Sequence, residues 1–144
     1  MAKTKPIMKA AALDKTITSA TESLINACSN AVAAVAAKQA EEKKLNIQIK
    51  QHTKKKATLT KRNKTATARL KRDPSADNKK AAATVSKDLK AVKAGLEKIR
   101  ANKTAVSTEL SALKTASKRL TAYTKGINAA DKVLNKPAKK RRKK

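Results

Sequence analysis

The stretch VSKDLKAVKAGLEKIRANKTAVSTELSALKTASKRLTAYTKGINAADKVL, residues 85–134, places an apolar side chain at every seventh position: Val85, Val92, Ile99, Val106, Leu113, Leu120, Ile127 and Leu134. A second row offset by four runs Leu89, Leu96, Lys103 and Leu110, then turns polar at Ser117, Thr124 and Asp131. Rows that alternate by four and three keep one stripe of a helix facing a partner helix, so this half of the chain reads as a coiled-coil helix whose seam is strong early and weaker late.

Working outward, the first half repeats the pattern less sharply. One row holds Ile17, Leu24, Ala31, Lys38, Leu45, His52, Leu59 and Ala66; the other holds Thr21, Cys28, Val35, Glu42, Ile49, Lys56, Asn63 and Leu70. Ile25, Val32 and Ile47 lie beside these rows and widen the apolar stripe, as expected of a helix that touches more than one neighbour. Between the halves stands Lys71-Arg72-Asp73-Pro74-Ser75. The residue before a proline avoids the helical region, and proline suits a first helical position because it lacks the donor that position leaves unused. The spacing therefore predicts a helix over 14–71, a turn near 72–74 with Asp73 as cap, and a helix over 74–134. A connection this short favours an antiparallel hairpin. Folding about it sets Leu70 near Lys79, Leu59 near Lys90, Leu45 near Thr104 and Ile17 near Lys132. Lys103 then falls near Glu42, which Lys38 also reaches along its own helix.

The fold class expected is thus all-α: two long helices in an antiparallel coiled-coil hairpin, flanked by an N-terminal basic segment, 1–13, and a basic, disordered-type C-terminal tail, 135–144. Composition agrees. The chain of 144 residues has no Phe, no Trp and one Tyr, and much of its 40% apolar content is alanine, which buries little area per residue. Strong helix formers dominate, with two glycines and three prolines. Two narrow strips bury little, so the hairpin is expected to be strengthened by self-association into a larger bundle or by a polyanion that neutralises its lysines.

Charge points to the partner. Thirty-seven basic residues face ten acidic ones, a formal net charge of +27, and such an excess attracts polyanions without distinguishing among them. By segment the excess is +11 over 38–72 and +7 over 135–144, against +2, +3 and +4 over 1–37, 73–100 and 101–134. The candidate nucleic-acid-binding residues are therefore Lys54, Lys55, Lys56, Lys61, Arg62, Lys64, Arg69, Lys71 and Arg72, with Lys139, Lys140, Arg141, Arg142, Lys143 and Lys144 of the tail. The tail also fits a nuclear import signal.

Lysine, a mobile point charge, outnumbers arginine thirty to seven, so bidentate reading of guanine is not expected. The near absence of aromatics removes the stacking platforms of single-strand binders. What remains is phosphate neutralisation with counterion release, indifferent to sequence.

Other chemistries find little support. The single histidine, His52, has no metal-spaced partners, and the single cysteine, Cys28, reads as a small seam residue, so no metal, cofactor or small-molecule substrate is expected. No phosphate loop, nucleophile elbow or paired-carboxylate arrangement occurs, which argues against catalysis. No stretch approaches a membrane span or a signal peptide, so an intracellular place in a nucleus or nucleoid, or inside a virus particle, is expected.

The leading reading is a sequence-nonspecific architectural or packaging protein of nucleic acid. The runner-up is a coiled-coil structural subunit, a minor component of a virion or other large assembly, whose basic faces meet acidic proteins. An RNA scaffold and a peripheral membrane binder are further alternatives, the last disfavoured by the lack of aromatic anchors.

Overall fold

In a computed structural model, residues 10–134 are described, and two α-helices account for nearly all of them: α1, Ala10–Arg72, and α2, Ala76–Leu134. They pack against each other as a helical hairpin. Of the expected N-terminal segment 1–13, residues 1–9 lie outside the described residues, as does the expected tail 135–144, while residues 10–13 belong to α1.

The helix bounds differ from expectation in two places. α1 starts at Ala10, ahead of the expected Asp14, because Ala10, Ala11 and Ala12 are the strongest helix formers and nothing between them and Asp14 interrupts the ladder. At the turn Pro74 does not open α2 and Asp73 is not its cap. Asp73 instead closes α1, its backbone N–H donating to the Arg69 carbonyl at 2.8 Å. Ser75 caps α2: its Oγ accepts the Asn78 N–H at 3.4 Å and its carbonyl accepts the Lys79 N–H at 3.1 Å. Asn78 Nδ2 reaches back to the Asp73 carbonyl and to Asp73 Oδ2, both at 2.9 Å, which ties the two helix ends together across Pro74. The serine prevails because α2 begins at Ala76, which puts Ser75, not Asp73, directly before the first helical residue and three residues before the Asn78 N–H.

The packed residues form two units. The first comprises Ala37–Ser111. It contains all four buried side chains among the described residues, Leu89, Leu96, Val106 and Leu110, each from α2. α1 meets them with a seam of mixed polarity in which Lys38, Glu42, Leu45, Ile49, His52, Lys56, Leu59, Asn63, Ala66 and Leu70 are half-buried.

Lys38 Nζ lies 2.8 Å from Glu109 and 3.0 Å from Glu41, and these two carboxylates, Glu109 foremost, hold its ammonium above the ordinary lysine pKa. A raised lysine pKa means that, on the lysine side, the interaction is present at neutral pH and is lost as pH climbs through the lysine range. Glu42, expected near Lys103, instead accepts the Ser107 hydroxyl at 2.7 Å. The ammonium takes the carboxylates that flank the seam, and the carboxylate within the seam takes a short neutral donor.

His52 has a buried Nδ1 with no hydrogen-bond partner. Its ring edge lies over Gly95, where a Cβ would stand 3.4 Å from Cε1 and 3.5 Å from Nδ1. The imidazole thus packs on Gly95 at a distance that leaves room for a Cβ in ordinary contact. Leucine in its place, His52→Leu, leaves no polar atom unpaired and is expected to raise the unfolding free energy by about 1 kcal/mol in a urea titration.

The second unit comprises residues up to Ala36 and from Ala112 onward. Thr21, Leu24, Cys28, Ala31 and Val35 are half-buried, as are Leu113, Ser117, Leu120, Thr124 and Ile127. Cys28 Sγ sits 3.6 Å from Thr121 Oγ1. Ile17 and Leu134, expected in the seam, are 58% and 79% exposed, and the Asp131 position is exposed as well. No side chain described in this unit is buried, because alanine, serine and threonine leave too little surface to close over.

Throughout both helices threonine hydroxyls donate to the carbonyl four residues earlier, as Thr58 does to Lys54 and Thr121 to Ser117, so these residues satisfy themselves within the helix. Gly126 has open space where a Cβ would point, and Gly126→Ala is expected to stabilise the helix by about 0.5–1 kcal/mol in the same titration.

Candidate nucleic-acid interface

The basic run lies on the solvent side of α1 within the Ala37–Ser111 unit. With Ile49, Lys56, Asn63 and Leu70 at heptad position a and His52, Leu59 and Ala66 at d, the other eight basic residues of 54–72 fall outside the seam, and all eight are exposed. Lys55, Arg62 and Arg69 form one flank at g, Lys64 and Lys71 form the other at b, and Lys54, Lys61 and Arg72 stand between them. Lys56 is the exception. It occupies the seam and is half-buried, so its stem takes part in the packing of the hairpin. The tail residues Lys139, Lys140, Arg141, Arg142, Lys143 and Lys144 lie outside the described residues.

Within a flank, seven residues of helix correspond to about 10.5 Å, slightly more than the ~8 Å screening length at physiological salt. Neighbouring cations in a flank therefore repel only weakly, and the helix tolerates them. They are also uncompensated. Among the described residues the ion pairs are those of Lys38 with Glu41 and Glu109, and neither involves residues 54–72. Arg62 and Arg69 rim a shallow recess of about 410 Å³ with Lys61, Asn78 and Ala81. Lys54, Lys55, Thr58 and Arg62 share a second recess of about 370 Å³.

The hairpin brings to this run a set of lysines that the one-dimensional charge count leaves unmarked. Residues 77–95 of α2 lie across from it, and Lys79, Lys80, Lys87, Lys90 and Lys93 are all exposed. Between Lys54 and Gly95 there are fourteen basic and three acidic residues. On α2 these lysines alternate with Asp77 and Asp88, which dilutes the local excess in the sequence, and only the fold adds them to α1. Further along the same unit, Arg100 and Lys103 line an open recess of about 800 Å³ with Thr104, Ser107, Thr108 and Ser111.

The Ala37–Ser111 unit carries twenty-one basic and seven acidic residues. In the other unit, Asp14, Glu22 and Asp131 answer six basic residues of its described part, and Asp14, Glu22 and Asp131 line one recess with Ile17, Thr18 and Thr21. Charge and exposed apolar surface are thus segregated: of the eight exposed large apolar side chains, only Ile47 belongs to the cationic unit.

No helix among the described residues is long and apolar enough to cross a membrane. Comparison of the chain with family models, with characterised proteins and with solved structures finds no match.

Proposed function

We propose that this chain is a non-enzymatic, sequence-nonspecific nucleic-acid-binding protein of architectural or packaging type, acting in a nucleus, a nucleoid or a virus particle. The observation that supports this reading is the exposed, unpaired cation array of α1 at the turn end of the hairpin, joined by the lysines of α2. An array of lysines and a few arginines with no aromatic platform neutralises phosphates without reading bases. Eight contacts on duplex DNA correspond to a slope of about −7 in log K against log salt, and to roughly a 10⁴-fold loss of affinity between 50 and 200 mM salt. A salt-titrated anisotropy measurement with random-sequence duplexes tests this, comparing the full chain with one ending at Asn135. Weak, salt-insensitive binding at low ionic strength would sink the proposal.

A second reading, a structural subunit of a larger assembly, is favoured by a separate observation. Ile25, Val32 and Tyr123 are 42%, 54% and 52% exposed in the unit that contains no buried side chain. Ile25 and Val32 stand one heptad apart on α1, and exposed apolar side chains repeated at that spacing suit a face that meets another helix. Sedimentation at tens of micromolar protein is expected to show dimers or larger species, and Ile25→Lys with Val32→Lys is expected to return the chain to monomer while leaving the salt slope of DNA binding within one unit. A monomer at every concentration would exclude this reading.

A further inference from the structure

Resting on the nucleic-acid reading above, we propose that the outward face of α1 between Lys54 and Arg72 seats in the major groove of B-form duplex DNA, with its two cationic flanks reaching the two opposite phosphate backbones. The geometry that carries this is the distribution of side-chain length around the helix. Positions b and g lie roughly 150° apart on a heptad-wound helix, and they hold long cations: Lys64 and Lys71 on one side, Lys55, Arg62 and Arg69 on the other. All five are exposed.

The crest between the flanks is short at three of its six positions, the others being Lys54, Lys61 and Arg72. The short three are Thr58, Thr65 and Ala68, again exposed. Thr58 Oγ1 donates to the Lys54 carbonyl and Thr65 Oγ1 to the Lys61 carbonyl, each at 3.2 Å, so the hydroxyl protons are already used. With these donors spent the crest threonines give no hydrogen bond to a base, and of the three crest cations Lys54 and Lys61 are point charges with no fixed geometry while Arg72 stands at the last residue of the helix.

An α-helix with its side chains is about 10–12 Å across, and the B-form major groove is ≈ 12 Å wide. A ridge kept low at Thr58, Thr65 and Ala68 and carrying long cations on both flanks matches a trough walled by phosphates on both sides. The major groove of A-form RNA is too deep and narrow to admit it, and a single strand offers only one backbone. The partner is therefore duplex DNA, where cationic charge alone would accept any polyanion.

The test measures anisotropy with the full-length protein at fixed salt against three 24-base-pair probes: a DNA duplex, the RNA duplex of the same sequence, and the DNA duplex with glucosylated 5-hydroxymethylcytosine filling its major groove. Binding to plain DNA at least tenfold tighter than to either other probe is the expected result, and the minor-groove ligand netropsin should not compete. In addition Thr58→Trp with Thr65→Trp, two exposed changes that leave charge intact, should weaken plain DNA at least tenfold and the RNA duplex by less than threefold. Equal affinity for all three probes overturns groove seating while leaving phosphate binding in place. Absence of binding to every probe overturns both readings. The comparison of probes uses the unaltered protein, so it decides the matter even where the tryptophan variant fails to fold.

Discussion

Replacing Lys61, Arg62, Arg69 and Lys71 together by glutamine will lower the magnitude of the salt slope for duplex DNA from about 7 to about 3–4, and will cut affinity at physiological salt on the order of a hundredfold. Each of these side chains is exposed and none takes part in an ion pair among the described residues, so glutamine removes a charge without stranding a partner. All four lie outside the seam, which makes the helical circular dichroism a built-in control that should not change by more than a few per cent.

The same number of substitutions at Lys114, Lys118, Lys125 and Lys132, exposed but in the other unit, is expected to reduce the slope by one unit or less, because the described part of that unit carries six basic against three acidic residues, a far smaller excess than the twenty-one against seven of Ala37–Ser111. Equal losses from the two quadruple variants would mean that binding follows total charge and that the array on α1 has no privileged role. Because neutralised phosphates release counterions one by one, the slope distinguishes lost contacts from lost folding, which changes affinity at every salt concentration alike.

Much of this arrangement is legible in one dimension, and the reasons are local. A seven-residue apolar repeat can be satisfied only by a helix that keeps one stripe covered, so both rows of each helix appear as the half-buried and buried positions, from Thr21 to Leu70 and from Val85 to Ile127. Turn length then sets register: three residues between the helices place Cys28 beside Thr121 and Glu42 beside Ser107, in step with the pairing of Leu45 and Thr104 expected from the sequence.

Three things were not legible. Which of the two side chains flanking Pro74 caps α2 depends on where the helix begins, and with Ala76 its first residue Ser75 prevails over Asp73. Which carboxylate Lys38 takes depends on a residue 71 positions away, Glu109. The lysines of α2 are the third, since Asp77 and Asp88 dilute their excess along the sequence and only the hairpin lays that segment across from the basic run of α1. The seam position of Lys56, by contrast, was already legible from its phase in the heptad.

Leu96→Ala is expected to cost about 3 kcal/mol and to lower the melting temperature of the hairpin by roughly 10–20 °C. Leu96 is 3% exposed, and only Leu89, Val106 and Leu110 share its burial among the described residues. With a core this small, one truncation removes a large share of the apolar burial that opposes the conformational entropy of two helices of 63 and 59 residues. Val133→Ala, at a position 65% exposed, is the matched control and should change stability by no more than about 0.5 kcal/mol.

The informative arm adds duplex DNA to the melt. A ligand that binds only the folded state stabilises it by about 2.7 kcal/mol at a hundredfold excess over its dissociation constant. A cation array held in place by the hairpin should therefore recover most of the loss in Leu96→Ala, and the recovery should fade as salt is raised. If DNA leaves the melting temperature of the variant unchanged while still binding it, the array acts from an unfolded chain as well as from the hairpin, and the fold is not what presents the lysines.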